Sequence, residues 1–339
     1  MEIKSGKKNR LSFGSIEALP ITIVFIIQML AFILLVPKVF TGPRIYMSFL
    51  MTLPPQIVLA LGLTFVITAG EIDLSFSSVV AFSGFLFSYF FRTFHSPLIA
   101  LIFALLGGAL VGYVNGILVS RLNVPSIMAT IASYFFWSGI TVLLCGGLNW
   151  SIKEIRGTAF HNLFVGRLFG ILPVQSLWAL GLAVLFWFIL NRHRFGEALL
   201  FIGDNSEVAR VMGIDVEKTK IVLFTLNGVF AAFAGVLLTL ELTNFFTTQG
   251  AGFLLPVMAA VFIGGTSFNG GEGTIVGTVI GMFIIGSLEA GIVATGISGY
   301  WVRVAQGFIM AISVVINFGI NREDGRGFIA LFRKREQPK

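Results

Sequence analysis

From Ala18 to Pro37 the chain runs 20 residues without a charged side chain, and runs at least as long recur between Arg44 and Glu71, Arg92 and Arg121, and Lys220 and Glu241. A helix crosses the hydrocarbon core of a bilayer in about 20 apolar residues. Lipid offers no hydrogen-bond partner to the backbone, so only helices and closed barrels can span it. The chain is therefore expected to fold in a membrane, as helices. Composition agrees: 12% of the 339 residues are charged, about half of what a soluble surface carries. A soluble enzyme is excluded.

The runs predict spans at about 18–37, 47–69, 74–91, 97–120, 124–145, 171–190, 220–240, 256–268, 273–294 and 300–319. No small-x-small cleavage site follows the first run before Lys38, so it reads as a helix and not as a leader. The spans 74–91 and 256–268 are short enough to be tilted, broken or re-entrant. The expected fold is an all-α polytopic membrane protein of about ten helices, with short or broken helices in each half and both termini cytoplasmic. Its parts are a basic tail 1–17, a transmembrane domain 18–319 with a cytoplasmic segment 191–219, and a basic tail 320–339.

Cation placement supports this orientation. Of 23 Lys and Arg, sixteen fall on the predicted inner side: Lys4, Lys7, Lys8 and Arg10, then Arg121, Arg192, Arg194, Arg210, Lys218 and Lys220, then six beyond residue 321. Six fall outside (Lys38, Arg44, Arg92, Lys153, Arg156, Arg167), and Arg303 lies in the last span. That asymmetry is the positive-inside pattern. It assigns the net charge of +7 to topology and lipid headgroups and not to nucleic acid.

Chemistry is sparse. Cys145 is alone, and His95, His161 and His193 share no metal-ligand spacing. The glycine-rich run Gly264–Gly273 lacks the lysine of a phosphate cradle and reads as a turn. The late spans offer Glu241, Glu272, Glu289 and Arg303, with no nucleophile paired to a base. No catalytic, metal or cofactor site is expected in this chain.

Four features remain. Gly108, Gly112 and Gly116, and again Gly273, Gly277 and Gly281, recur at every fourth residue, a spacing that lets helix backbones approach. These seams follow breaks at Glu71–Ser78 and Gly264–Gly273, which suggests two distantly repeated halves. Glu71 and Asp73 stand alone in the otherwise uncharged stretch 45–91. Carboxylates at membrane depth suggest a path, but two residues apart on a helix they diverge, so a shared site needs local unwinding. Asp73 is equally suited to cap the helix that follows. In 191–220, Asp204 and Asn205 start an amphipathic helix carrying Val208, Val211 and Met212. The segment 146–170 forms an outer cap, and Asn244, Phe245, Phe246 and Gln249 at an outer helix end are placed to touch a polar solute.

Three stretches taken together carry a family resemblance: Gly62–Ser75 (GLTFVITAGEIDLS), Arg194–Asn205 (RFGEALLFIGDN) running on through Ala209–Val216, and Ala259–Ser267 with Gly270–Thr274, Gly277 and Thr278. They resemble the permeases of bacterial ATP-binding-cassette (ABC) importers for ribose and other simple sugars, and the likeness covers about 45–318. The resemblance implies an inner-membrane permease subunit that is not itself an enzyme. It implies a second permease chain (identical or paralogous), a periplasmic or lipid-anchored sugar-binding protein, and a cytoplasmic ATPase that binds the ATP and magnesium. It carries ATPase coupling onto Gly196, Glu197, Gly203, Asp204, Asn205, Ala209 and Gly213 and implies a translocation path at the dimer interface, for which the residues themselves offer Glu71, Asp73, Ser75, Asn244, Phe245 and Phe246. On this reading Ala209→Glu leaves the fold intact and abolishes ATPase stimulation. The family usually has Gly at Glu71, Val-Gly-Ser after Asp-Leu in place of Ser75-Phe76-Ser77, Arg at Glu197 and Gly at Asp204. Glu71 is then expected to line the path for an unusual sugar or polyol, and the acids at 197 and 204 to meet a more basic ATPase groove. An ion-coupled secondary transporter using Glu71 and Asp73 is the alternative.

Overall fold

The structure, a computed structural model, describes residues 19–320, with side chains through residue 312. The ten tail cations and the expected tail segments 1–17 and 321–339 lie outside them. Proline opens several helices. Pro37, Pro43, Pro54 and Pro97 stand in the first turns of α2 (Pro37–Phe40), α3 (Pro43–Thr52), α4 (Pro54–Thr68) and α6 (Pro97–Ser120). There the missing N–H costs no helical bond. Pro54 and Pro55 also bend α4 by 51° from α3.

Each predicted span falls on helix: α1 (Leu19–Leu35), the α3–α4 pair, α5 (Phe76–Phe94), α6, α7 (Ser126–Cys145), α9 (Val174–Arg192), α12 (Val216–Leu242), α13 (Leu254–Ile263), α14 (Ile275–Ala294) and α15 (Tyr300–Ile320). The remaining helices are α8 (Ala159–Val165), α10 (Arg194–Asp204) and α11 (Ser206–Val211). Among the described residues, α6, α7, α9, α12 and α14 are long and apolar enough to cross a membrane, and the α3–α4 pair makes a sixth if it is one span. The protein is an all-α polytopic membrane protein.

Burial separates its core from its rim. In α12, 56% of the apolar window is buried, against 28%, 22% and 28% in α6, α7 and α9, so α12 is central and those three present apolar faces outward. α6 lies on α12 at backbone contact. A Cβ on Gly108 would sit 2.3 Å from the Gly228 carbonyl oxygen, and one on Gly112 would sit 2.1 Å from that of Phe224. Gly116 faces the Ile221 backbone in the same way. In the second seam, Gly277 and Gly281 face the carbonyl oxygens of Gly264 and Ala260 on α13, and Gly273 faces the Thr68 side chain. Both seams are therefore internal to one chain. They are not equivalent by position: the second lies in the helix directly after its break, whereas the first lies one helix further on, in α6 and not α5. The repeat suggested above does not follow from them.

In α1 Gln28 docks the helix, its Nε2 donating to Ile284 O and Ser287 Oγ, both at 3.0 Å. The segment 146–170 is held at one end of α12. Its strand β1 (Trp150–Ser151) pairs antiparallel with β2 (Asn244–Phe245), and Ile152, Ile155, Phe164 and Val165 bury against α5, α6 and α12.

Candidate functional site at a helical hairpin and two helix breaks

The stretch expected to be one amphipathic helix is two. Asn205, extended at φ −157° and ψ 107°, ends α10, and its Oδ1 accepts from the amides of Glu207 (3.0 Å) and Val208 (3.1 Å) to start α11. An amide side chain that satisfies these orphan donors lets the chain turn at no hydrogen-bonding loss. Asp204 is the last residue of α10 and not part of the start. Past Gly213 (φ +87°), Asp215 Oδ1 accepts from Lys218 N at 3.0 Å and opens α12. The hairpin thus runs directly into the central helix.

The hairpin's two faces differ. Gly196, Leu199 and Ile202 point inward, and a Cβ on Gly196 would lie 2.2 Å from Ile189 O at the end of α9. Ala209 is also fully buried. This speaks against the expectation that Ala209→Glu leaves the fold intact: a glutamate there would bury a charge in the hairpin's own core. The outward residues include Arg194, Glu197, Asp204, Glu207 and Arg210, with the apolar Val208, Val211 and Met212 at 52%, 89% and 58% exposure.

Gly203 rests where two helix breaks meet. One break is 69–75, between α4 and α5; the other is 264–274, between α13 and α14. Gly271 N donates to Thr68 O at 2.9 Å, and a Cβ on Gly203 would lie 1.9 Å from that oxygen and 2.4 Å from Gly271 N. Gly70 and Gly270, both at positive φ, complete the contact. Three backbones meet here with no room for a side chain.

The first break carries no regular secondary structure from Glu71 to Leu74. Freed from a helix, the two carboxylates both reach α12. Glu71 pairs with Lys220 Nζ, and Asp73 Oδ2 accepts from Asn227 Nδ2 at 2.8 Å. Asp73 Oδ1 accepts from Ser75 N (2.8 Å) and Ser75 Oγ (2.6 Å), while Ser75 Oγ accepts from Asn115 Nδ2 at 2.8 Å. Asp73 and Ser75 are each 1% exposed. The N-cap of α5 is Ser75, without a side-chain capping bond, so Asp73 closes the turn before the helix and does not cap it. Glu71, Asp73 and Ser75 are thus engaged with neighbouring helices in this conformation. On the far side of the break, Ile72 N donates to Ser126 Oγ at 3.1 Å and Thr130 Oγ1 donates to Ile72 O at 3.2 Å, both on α7.

The other expected path residues lie elsewhere. Phe245 is fully buried and packs against Phe85, ring centroids 5.9 Å apart. Asn244 and Phe246 are half-buried beside it, and Gln249 is spent on Gly235 O and Thr239 Oγ1, both at 2.9 Å. Lys220, Asn227, Asn115 and Ser126 belong to the site and were not foreseen in it. Asn115 and Asn227 were visible as polar residues inside charge-free spans, where a buried partner is the rule.

A family model described as a branched-chain amino acid transport system permease component matches residues 45–314. The chain belongs to that permease family. As a member it is a transport subunit and not an enzyme. It is 32% identical to the ribose import permease protein RbsC of Escherichia coli strain K12, over 77% of this chain and 81% of that one. The identity is 31% to the L-arabinose ABC transporter permease protein AraH of Azospirillum brasilense (88% and 86%). It is also 31% to the autoinducer 2 import system permease protein LsrC of Escherichia coli strain SMS-3-5 (84% and 80%). No solved structure matches.

Proposed function

We propose that this chain is the inner-membrane permease of an ATP-driven importer for a simple sugar or related polyol. It works with a second permease chain, a periplasmic or lipid-anchored binding protein, and a cytoplasmic ATPase that holds ATP and magnesium. The ten helical segments are taken as ten crossings with both termini and the hairpin on the cytoplasmic side, an orientation favoured by the cation asymmetry. The observation that carries this reading is the hairpin. It presents Val208, Val211 and Met212 to the outside while Gly203 seats it on two membrane breaks. An ATPase gripping that surface would act on both breaks at once.

Mechanistically, nucleotide-driven movement of the hairpin shifts the permease between outward and inward openings through contacts that differ between the two states. The sugar class rests on the relatives named above. The ion-coupled alternative requires an acid free to titrate with transport, and here Glu71 is engaged with Lys220 and Asp73 with Ser75 and Asn227. The test is affinity purification of the chain from native membranes in mild detergent, with mass spectrometry and an ATPase assay. A stoichiometric soluble ATPase is expected; a chain that purifies without one and still transports in liposomes under a proton gradient overturns the proposal.

A further inference from the structure

The break 70–75 has few backbone bonds of its own. Glu71 N donates to Val66 O, and beyond it residues 71–73 are held by side chains of two different helices, while Asn115 of α6 donates to Ser75 at the end of the break. From α7 come Ser126 and Thr130, both neutral. From α12 come Lys220 and Asn227, each bonded to a carboxylate, and charge-assisted bonds of this kind are about twice as strong as neutral ones. When α12 moves relative to α7, the stronger set wins and the segment follows α12. Glu71 and Lys220 decide this more than Asn227 does, because both are charged. Their side chains are only 12% and 17% exposed, so a separated pair has little water to recover.

Position completes the argument. Lys220 lies in the second turn of α12, directly past the hairpin, and Asn227 lies seven residues later on the same face. Two ties on one helix face fix the orientation of the segment as well as its distance.

We propose that Glu71 and Lys220 form a transmission pair, a positioning element through which displacement of the hairpin and the start of α12 is carried into the break between α4 and α5. This rests on the importer reading and extends it from where the force enters to which residues pass it on.

The test is hydrogen–deuterium exchange on the full chain, alone and in complex with its copurified ATPase, with ATP plus orthovanadate as the probe. In the chain alone, Glu71→Gln and Lys220→Gln are expected to speed exchange in 69–76 by about fivefold or more, the break having lost a partly buried tie. The reversed pair, Glu71→Lys with Lys220→Glu, is expected to restore it. In the complex, the probe should alter exchange in both 194–212 and 69–76 of the unmodified chain. In the single variants the response of 69–76 should fall at least about threefold while that of 194–212 persists. The reversed pair controls for general damage. Unchanged exchange in 69–76 of the single variants alone, or an undiminished response in the complex, overturns the inference. Absence of any nucleotide response at 194–212 in the unmodified complex instead overturns the importer reading, and the transmission role with it.

Discussion

Gly203 and Thr68 are in backbone contact: a Cβ on the glycine would lie 1.9 Å from the threonine carbonyl oxygen, which already accepts from Gly271 N. No side-chain rotation relieves that overlap. Gly203→Ala must therefore push the hairpin off the two breaks, at about 1–3 kcal/mol. The chain is expected to insert in the membrane normally while recovery of the ATPase falls about tenfold, the effect of roughly 1.4 kcal/mol on an association constant. Undiminished copurification would show that the junction does not set the hairpin's position.

The two faces of the hairpin give opposite expectations for the same substituent. Val211, 89% exposed, should accept glutamate with a change within about 0.5 kcal/mol in stability, yet lose the ATPase. Ala209→Glu should lower the unfolding temperature of the detergent-solubilised chain, because Ala209 is fully buried. A destabilised Val211→Glu beside an unaffected Ala209→Glu would invert the assigned faces.

At Asp73, the amide and alanine variants separate two roles. Asn keeps one oxygen for Ser75, and its NH₂ finds an acceptor if the Asn227 amide flips; Ala leaves Asn227 and Ser75 without their partner. Asp73→Ala is expected to be less stable than Asp73→Asn by about 1–3 kcal/mol, the cost of buried polar groups left unbonded. If the carboxylate served ion coupling, Asp73→Asn would be stable and yet transport nothing; retained uptake of a radiolabelled sugar is the expected result.

Glycines in neighbouring helices should behave oppositely. Gly112→Ala meets the Phe224 carbonyl oxygen at 2.1 Å and should destabilise by at least about 1–3 kcal/mol. Gly139, inside α7, has nothing within 4 Å of the added carbon, so Gly139→Ala should stabilise by about 0.5–1 kcal/mol through helix propensity. Thermal unfolding of both variants in one detergent checks the pair.

Helix positions and the glycine seams were legible in the sequence because both are local: an apolar run declares its length, and a four-residue glycine spacing declares a face. Asn205 as a helix start was legible for the same reason. Periodicity did not reveal that Asp204 ends a separate helix, since α10 and α11 carry apolar residues at compatible spacing on either side of the turn. Nor did it show that Ala209 is buried, because alanine is equally at home on both faces of a helix and only packing decides. The partners of Glu71 and Asp73 were not legible at all. Lys220 and Asn227 lie 149 and 154 residues away along the chain, and Ser126 and Thr130, which hold the other side of the break, lie 54 and 58 residues from Ile72. The sequence reading counted Lys220 among loop cations fixing topology, a role that conceals its carboxylate partner.

The pairing of Trp150 with Phe245 has a mechanical consequence. The strand residue Phe245 lies three positions past the end of α12, so the 146–170 segment is fastened to one end of that helix while the hairpin leads into the other. A helix of 27 residues is a rod of about 40 Å, stiff on the scale of such movements. A lever with a load at each end cannot turn at one end alone: whatever tilts the rod at the hairpin also moves the 146–170 segment at its far end.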